Sequence, residues 1–426
     1  MRIAMLSYHT CPLATLGGKD TGGMNVYVRE VTQKLGEMGV HVDVFTRSQD
    51  EHVPHILHDL GYGNRVVHVP AGPEVPLPKY ELASYIPEFV QGVLDFTSNK
   101  GMPYDLIHSH YWMSGVAALE LKFRWKIPVV HMFHTLVLMK NRVAQGQDEV
   151  EGSYRLEGER KVLRHADKII AATPAELAQL QWLYQAEVNK ISVIPPGVET
   201  CRFYPIPQDE AKEFLGVPPC ERMILFVGRI EPLKGLDVLI EAIAWMRETG
   251  AWEANPFCLI VIGGEPDVRG GEMSAEMARI HALREQYELE DLVVFLGKRS
   301  QDTLPYYYSA AEAVVVPSHY ESFGMVALEA MACGTPVVAS QVGGLAYLVQ
   351  DGVTGFTVPV DEPKELAERL FRLLKDPELH ERMSRQAVVA AQGYSWKNIA
   401  TRLTGIYQEI LAGGQGNSGD RDRLHG

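Results

Sequence analysis

The amino-acid sequence predicts an α/β protein made of two doubly wound domains that face one another across a cleft. Three observations predict it. Short apolar runs alternate with helical stretches along most of the chain. The series breaks at Pro195-Pro196-Gly197 and then restarts, and each half opens with a strand and a glycine-containing loop. The length of 426 residues fits two or three domains at roughly 100–200 residues each.

The elements follow in order. Ile3 to Tyr8 is a first apolar run, followed by a loop rich in Gly, Pro and Thr. A helical pattern follows from Gly23 to Gly36, with Val26, Val28, Val31 and Leu35 apolar and Arg29, Glu30 and Lys34 polar. A second strand, Val40 to Phe45, completes a βαβ unit and implies a parallel sheet. Val66–Val69, Leu106–His108, Val129–Met132 and Lys168–Ala172 continue the series. After a connection through Pro205 and Pro207 come Met223–Gly228, Cys258–Ile262, Val293–Leu296, Ala313–Val316, Val337–Ala339 and Gly355–Val358. Residues 1–197 and 198–395 are therefore the expected domains. Trp396 to Leu411 reads as an amphipathic helix that returns to the first domain, with Ile399, Leu403, Ile406, Tyr407 and Ile410 on its apolar face. Residues 412–426 are polar and glycine-rich, a composition expected of a flexible tail. Their Asp420-Arg421-Asp422 string has no scaffold on which to hold a metal.

Composition narrows the function. The 54 Asp+Glu outnumber the 40 Lys+Arg, for a formal net charge of −14. An acidic surface argues against nucleic acid and anionic membrane as partners. Lys122, Arg124 and Lys126 around Phe123 and Trp125 form too short a basic stretch to change that. Five scattered cysteines without a CxxC pair argue against a disulfide framework or a structural zinc site. With neither a signal-peptide pattern nor an apolar run of membrane-spanning length, a cytoplasmic location is expected.

In parallel α/β sheets ligands bind beyond the carboxyl ends of the strands, so the strand-to-loop junctions are where chemistry is expected. His319-Tyr320-Glu321-Ser322-Phe323-Gly324-Met325 follows one strand and opens a helix that carries Glu329. Backbone amides at a helix start suit an anion, and two carboxylates eight residues apart suit hydroxyls at opposite ends of an elongated ligand. Gly228-Arg229-Ile230-Glu231-Pro232-Leu233-Lys234-Gly235 follows another strand. Its guanidinium and ammonium together suit a diphosphate. In the first half, Lys79, Tyr111, Thr135 and Arg155 supply two cations and two hydroxyls, a set suited to a phosphomonoester. A metal reading of His108, His110, His131 and His134 is disfavoured, because His131 and His134 differ in strand parity.

GRIEPLKG, followed by ESFGMVALEAMACGTPVVAS and VGGLAYLVQDGVTG, resembles the donor half of family 4 retaining glycosyltransferases with the GT-B fold, two Rossmann-like domains around a cleft. The resemblance implies a UDP-sugar held by the second domain. On it, Arg229 and Lys234 hold the diphosphate, Glu329 the ribose, and Glu321 with the amides of Phe323 and Gly324 the sugar. The Lys298-Arg299 loop then meets the base, and the Gly22/Gly23 loop supports the leaving group. The strings DTGGMNVYV, IHSHYWMSG and HMFHTL resemble most closely the inositol-phosphate N-acetylglucosaminyltransferases of mycothiol synthesis. Sucrose-phosphate synthases resemble them somewhat less, and commonly have Gln where Met24 stands and Pro where Ser322 stands. By position, Lys79, Tyr111, Thr135 and Arg155 match acceptor-phosphate contacts, Asn25 an acceptor-hydroxyl contact, and His134 a place beside the reacting sugar carbon.

The reaction implied is transfer of a glycosyl group from a UDP-sugar to a phosphorylated polyol or sugar, best read as UDP-N-acetylglucosamine to inositol phosphate, with retention of configuration. Sucrose-phosphate synthesis from UDP-glucose or ADP-glucose and fructose 6-phosphate is the alternative. A nucleotide-sugar epimerase and a non-catalytic sugar-nucleotide binder are the readings from other classes. No carboxylate stands out as a nucleophile for a double displacement. The expected chemistry is a same-face displacement in which Arg229 and Lys234 take the charge that a metal would otherwise neutralise, so no cofactor or divalent metal is expected. A homodimer is compatible with this reading.

Overall fold

A computed structural model of the chain describes residues 1–15, 21–98, 104–144, 150–216, 222–250, 256–264 and 273–416. Asp20 of the DTGG string and the Asp420-Arg421-Asp422 string lie outside the described residues.

Strands β1 (Arg2–Leu6), β2 (His41–Arg47), β3 (Ile56–Leu57), β4 (Arg65–Val69), β5 (Leu106–His110), β6 (Val129–Met132), β7 (Lys168–Ala171) and β8 (Ile191–Val193) form the first sheet. Their order is β3-β4-β2-β1-β5-β6-β7-β8. Every pairing is parallel except β3 with β4. The two-residue β3 is an edge strand that the apolar pattern did not announce. The second sheet holds β9 (Met223–Val227), β10 (Cys258–Ile262), β11 (Val293–Gly297), β12 (Ala313–Val316), β13 (Val337–Ser340) and β14 (Gly355–Val358). It is parallel throughout, in the order β11-β10-β9-β12-β13-β14. Both sheets start near their centre and wind outward, which is the doubly wound pattern the sequence predicts.

Helices on both faces bury the strands almost completely, as parallel sheets require. β5 is buried along its whole length even though it reads Leu-Ile-His-Ser-His. Buried polar groups need partners, and each of the four histidines here finds one through one ring nitrogen. Tyr407 Oη lies 2.7 Å from His108 Nδ1, Ser109 Oγ 2.8 Å from His131 Nδ1, and His110 Nδ1 3.0 Å from His134 Nε2. Among the described residues the four histidines do not converge as a ligand set. Cys11, Cys201 and Cys333 are free thiols, while Cys258 is disulfide-bonded. That bond was not evident from cysteine spacing.

The chain crosses between the lobes twice, at adjacent points. Val198 N–H donates to Tyr394 O at 2.8 Å and Trp396 N–H to Val198 O at 3.3 Å. Beyond this crossing the helix Trp396–Gly416 packs on the first lobe, against the helix Gly23–Glu37. It runs past the Leu411 end that the apolar pattern suggests. Trp396 is 2% exposed, and its ring stands edge-on to Tyr27 at 5.5 Å. Trp396→Ala removes a large, enclosed ring where two crossings meet. The expected cost is about 3–5 kcal/mol of unfolding free energy, measured as a shift of the urea midpoint.

Candidate active site

In the first lobe, the turn after β1 is held by Asn25. Its Oδ1 accepts from Gly22 N–H at 2.9 Å, and its Nδ2 donates to Thr10 Oγ1 at 2.7 Å and Cys11 O at 2.8 Å. Asn25 is 1% exposed. Asn25, the residue expected at an acceptor hydroxyl, also braces the Gly22-Gly23 helix start.

The loop after β5 begins at Tyr111 (φ 71°), and the loop after β6 contains His134 (φ 62°), two non-glycine residues in the left-handed region. Neither is a common place for a bulky side chain. Tyr111 is covered by Arg155, whose Cζ lies 4.9 Å from the ring centroid, and Lys79 Nζ lies 6.0 Å from the same ring. Arg155 Nη2 donates to Thr135 O at 2.9 Å and to Thr135 Oγ1 at 3.0 Å. The expected acceptor-phosphate set of Lys79, Tyr111, Thr135 and Arg155 is therefore one cluster.

Arg155 is 1% exposed and doubly ion-paired, through Nη1 to Glu151 at 2.7 Å and through Nε to Glu159 at 2.8 Å. Glu159 is fully buried and also receives Val137 N–H at 3.1 Å and Tyr184 Oη–H at 2.5 Å. It thereby fixes the loop that carries His134 and Thr135. Sequence reading missed Glu159. Its signal was the Arg-x-x-x-Glu spacing, which sets both side chains on one helix face.

His134 bonds His110, and its ring stands edge-on to Tyr27 at 5.2 Å. Burial pushes its pKa down to about 3, so the imidazole is neutral at physiological pH. It cannot serve there as a cation.

In the second lobe, the loop after β9 lies against the loop after β12. His319 N–H donates to Leu233 O at 3.0 Å. Gly235 (φ 63°) approaches so closely that a Cβ would stand 2.1 Å from Pro317 O. No other residue type fits without moving one of the loops. This contact joins the two motifs: Lys234 Nζ lies 2.5 Å from Glu321 Oε2, and Arg229 Nη1 2.7 Å from Glu231 Oε1. Gly324 (φ 103°) then turns the chain into the helix Met325–Ala332. Across the cleft, a Cβ on Gly23 would lie 3.1 Å from Met325 Sδ. The first residues of two helices, one from each lobe, thus touch across the cleft, and amides at helix starts suit an anion.

Glu329 is 7% exposed, accepts from Tyr308 Oη–H at 2.8 Å through Oε2, and has its pKa pushed up to about 7 by burial. Arg299 is exposed and folds onto its own loop, bonding Tyr307 Oη at 3.0 Å and Leu296 O at 2.6 Å. From that loop Gln301 accepts from Arg29 of the other lobe and, at 3.3 Å, from Arg202 Nη1 of its own. Neither arginine is among the site residues that the sequence suggests. Elsewhere, a groove of about 1320 Å³ is lined by residues including Phe123, Arg124, Lys126 and Leu411. Lys122 there is held by Asp167 at 2.7 Å, and none of the expected site residues lines it.

Residues 22–197 match the family described as Glycosyl transferase 4-like domain, and residues 207–388 the family described as Glycosyl transferases group 1. Over 412 residues the chain is 41% identical to D-inositol 3-phosphate glycosyltransferase of Acidothermus cellulolyticus, covering 96% of this chain and 91% of that one. The chain belongs to this glycosyltransferase family. The glycosyltransferase is also 41% identical over 407 residues to the protein of that name from Actinosynnema mirum, with 95% of this chain and 96% of that one covered. Its architecture superposes on sucrose-phosphate synthase of Thermosynechococcus elongatus with a TM-score of 0.87 at 35% identity, covering 97% and 99% of the two chains. Anabaena HepE in complex with UDP and glucose, at 22% identity, shares the fold with a TM-score of 0.72 and coverage of 96% and 100%. These likenesses establish a glycosyltransferase with the two-domain GT-B architecture.

The buried carboxyl of Glu329 has a consequence for pH. Its folded pKa lies above the unfolded value of 4.5, so the folded form is favoured with the proton on, and stability is lost as pH rises through that window. Glu329→Gln is expected to gain stability relative to the wild type as pH goes from about 4.5 to about 7, by on the order of 3 kcal/mol. Paired urea titrations across that range measure the difference.

Proposed function

We propose that the glycosyltransferase transfers N-acetylglucosamine from UDP-N-acetylglucosamine to inositol phosphate, with retention of configuration. The observation that carries this reading is the assembled cluster of Lys79, Tyr111, Thr135 and Arg155 in a chain 41% identical to D-inositol 3-phosphate glycosyltransferases.

On this reading the acceptor phosphate binds at Arg155. Glu159 is sealed under the loop, whereas the Glu151 side chain is 17% exposed. Glu151 is therefore the partner that a phosphate displaces from Nη1, leaving Glu159 to hold the guanidinium. The donor diphosphate lies between the two helix starts at Gly23 and Met325 and draws Lys234 away from Glu321. The freed Glu321 carboxylate then accepts hydroxyls of the sugar. Arg229 parts from Glu231 in the same way. Glu329 Oε1, the oxygen that Tyr308 leaves open, takes the ribose.

In the reaction, the bond from the anomeric carbon to the β-phosphate oxygen breaks as the acceptor oxygen approaches on the same face. The acceptor hydroxyl passes its proton to the departing phosphate. The residues contribute alignment and stabilisation of the negative charge that gathers on the leaving group. Lys234, Arg229 and the amides at both helix starts provide that stabilisation in place of a metal ion.

Sucrose-phosphate synthesis is the second reading, favoured by the 0.87 TM-score and 35% identity to the Thermosynechococcus enzyme. The phosphate-binding cluster serves either acceptor, and Met24 and Ser322 weigh toward inositol phosphate. An activity matrix distinguishes the two: UDP-N-acetylglucosamine, UDP-glucose and ADP-glucose against inositol 3-phosphate and fructose 6-phosphate. Turnover is expected for the first donor with the first acceptor, and turnover only with fructose 6-phosphate overturns the assignment. In the productive pair, Lys234→Ala is expected to lower kcat on the order of 100- to 1000-fold, and near-normal kcat argues against its leaving-group role.

A further inference from the structure

We propose that His110 is a positioning residue that locks His134 as the Nδ1–H tautomer, so that His134 presents a hydrogen-bond donor to the sugar of the nucleotide donor. The inference deepens the proposed function and rests on its placing of His134 beside that sugar.

The geometry begins with one shared proton. His110 Nδ1 and His134 Nε2 are 3.0 Å apart, so one nitrogen donates and the other accepts. Burial pushes both pKa values far below their ordinary value, His134 to about 3. Each ring is therefore neutral and carries a single N–H.

Two arrangements remain. If His134 Nε2 holds the proton, His110 must carry its own on Nε2. That nitrogen is buried and has no partner among the described residues. If His110 Nδ1 holds the proton, its Nε2 is left with a lone pair. An orphaned buried N–H is rarer and more costly than an under-used acceptor. The second arrangement is favoured, and it leaves His134 Nε2 as the acceptor. The single proton of His134 then sits on Nδ1, which has no partner among the described residues.

The lock is itself supported. The His108 ring lies 4.3 Å from the His110 ring, and His108 Nδ1 is bonded to Tyr407 Oη at 2.7 Å. Tyr27 packs on His110 at 5.5 Å and on His134 at 5.2 Å. With its backbone at φ 62° and its ring wedged by Tyr27, His134 has little freedom to turn the other nitrogen outward. A donor Nδ1–H can bond a hydroxyl or ring oxygen of a hexose, but it cannot take a proton from the acceptor. His134 thus orients the sugar and is not a general base.

The test uses full-length protein with ¹⁵N-labelled histidine. Two-bond proton–nitrogen spectra separate the N–H nitrogen from the lone-pair nitrogen, and His134→Gln assigns the signals. Pyrrole-type Nδ1 and pyridine-type Nε2 are expected for His134 in the wild type. Nε2–H in the wild type overturns the proposal, whatever the activity. In His110→Leu the tautomer is expected to move toward Nε2–H and kcat to fall on the order of 100-fold, with KM for the phosphorylated acceptor unchanged. In His110→Asn the amide N–H stands in for Nδ1–H and is expected to restore both. An unchanged tautomer in folded His110→Leu also overturns the proposal. Full activity in His134→Ala, alongside the expected wild-type spectrum, removes the placing of His134 at the sugar and leaves the tautomer lock standing.

Discussion

The buried ion pair of Arg155 and Glu159 organises the first lobe's face of the cleft. A lone guanidinium in that position would be costly to desolvate, and a lone carboxylate equally so. Together they are sustained by Glu151, Thr135, Tyr184 and the Val137 amide. The pair does more than neutralise charge. It ties the helix Ser153–His165 to the loop after β6, and that loop carries both Thr135 and His134. Removing Arg155 would leave the buried Glu159 carboxylate without its countercharge, and removing either partner would release the loop.

A similar economy of charge recurs on the facing lobe. Lys234 is matched by Glu321 and Arg229 by Glu231. In a chain of net charge −14, three of the cations expected to bind phosphate already hold carboxylates. On the proposed function, anionic ligands therefore enter by exchange rather than by simple attraction. Each exchange costs one ion pair and forms another, so discrimination depends on geometry more than on total charge.

The sequence made the architecture readable because parallel strands buried on both faces must be short apolar runs. Twelve of the fourteen strands coincide with such runs. β3 escaped because two residues carry no periodicity, and of β8 only the end was legible, where Ile191-Ser192-Val193 runs directly into Ile194-Pro195-Pro196. The site was legible where residues are spaced along one loop, as with Arg229 and Lys234. It was not legible where function depends on contacts distant in sequence. Nothing local in IHSHYW says that His110 meets His134, or that His108 meets Tyr407 from the far end of the chain. Nor does the sequence show that the Asn25 amide holds a turn, a role its position beside the glycines leaves unannounced.

The double crossing at Val198 and Trp396 has a mechanical consequence. A single linker would let the lobes swivel, twist and separate. Two adjacent crossings, laced by reciprocal backbone hydrogen bonds, behave like the two pins of a door. The softest motion left is a swing about the line through them, while torsion between the lobes must break the lacing. Tyr27 lies against Trp396 on one side and His134 on the other. The axis of that swing thus passes close to the imidazole, which moves least when the far edges of the cleft move most.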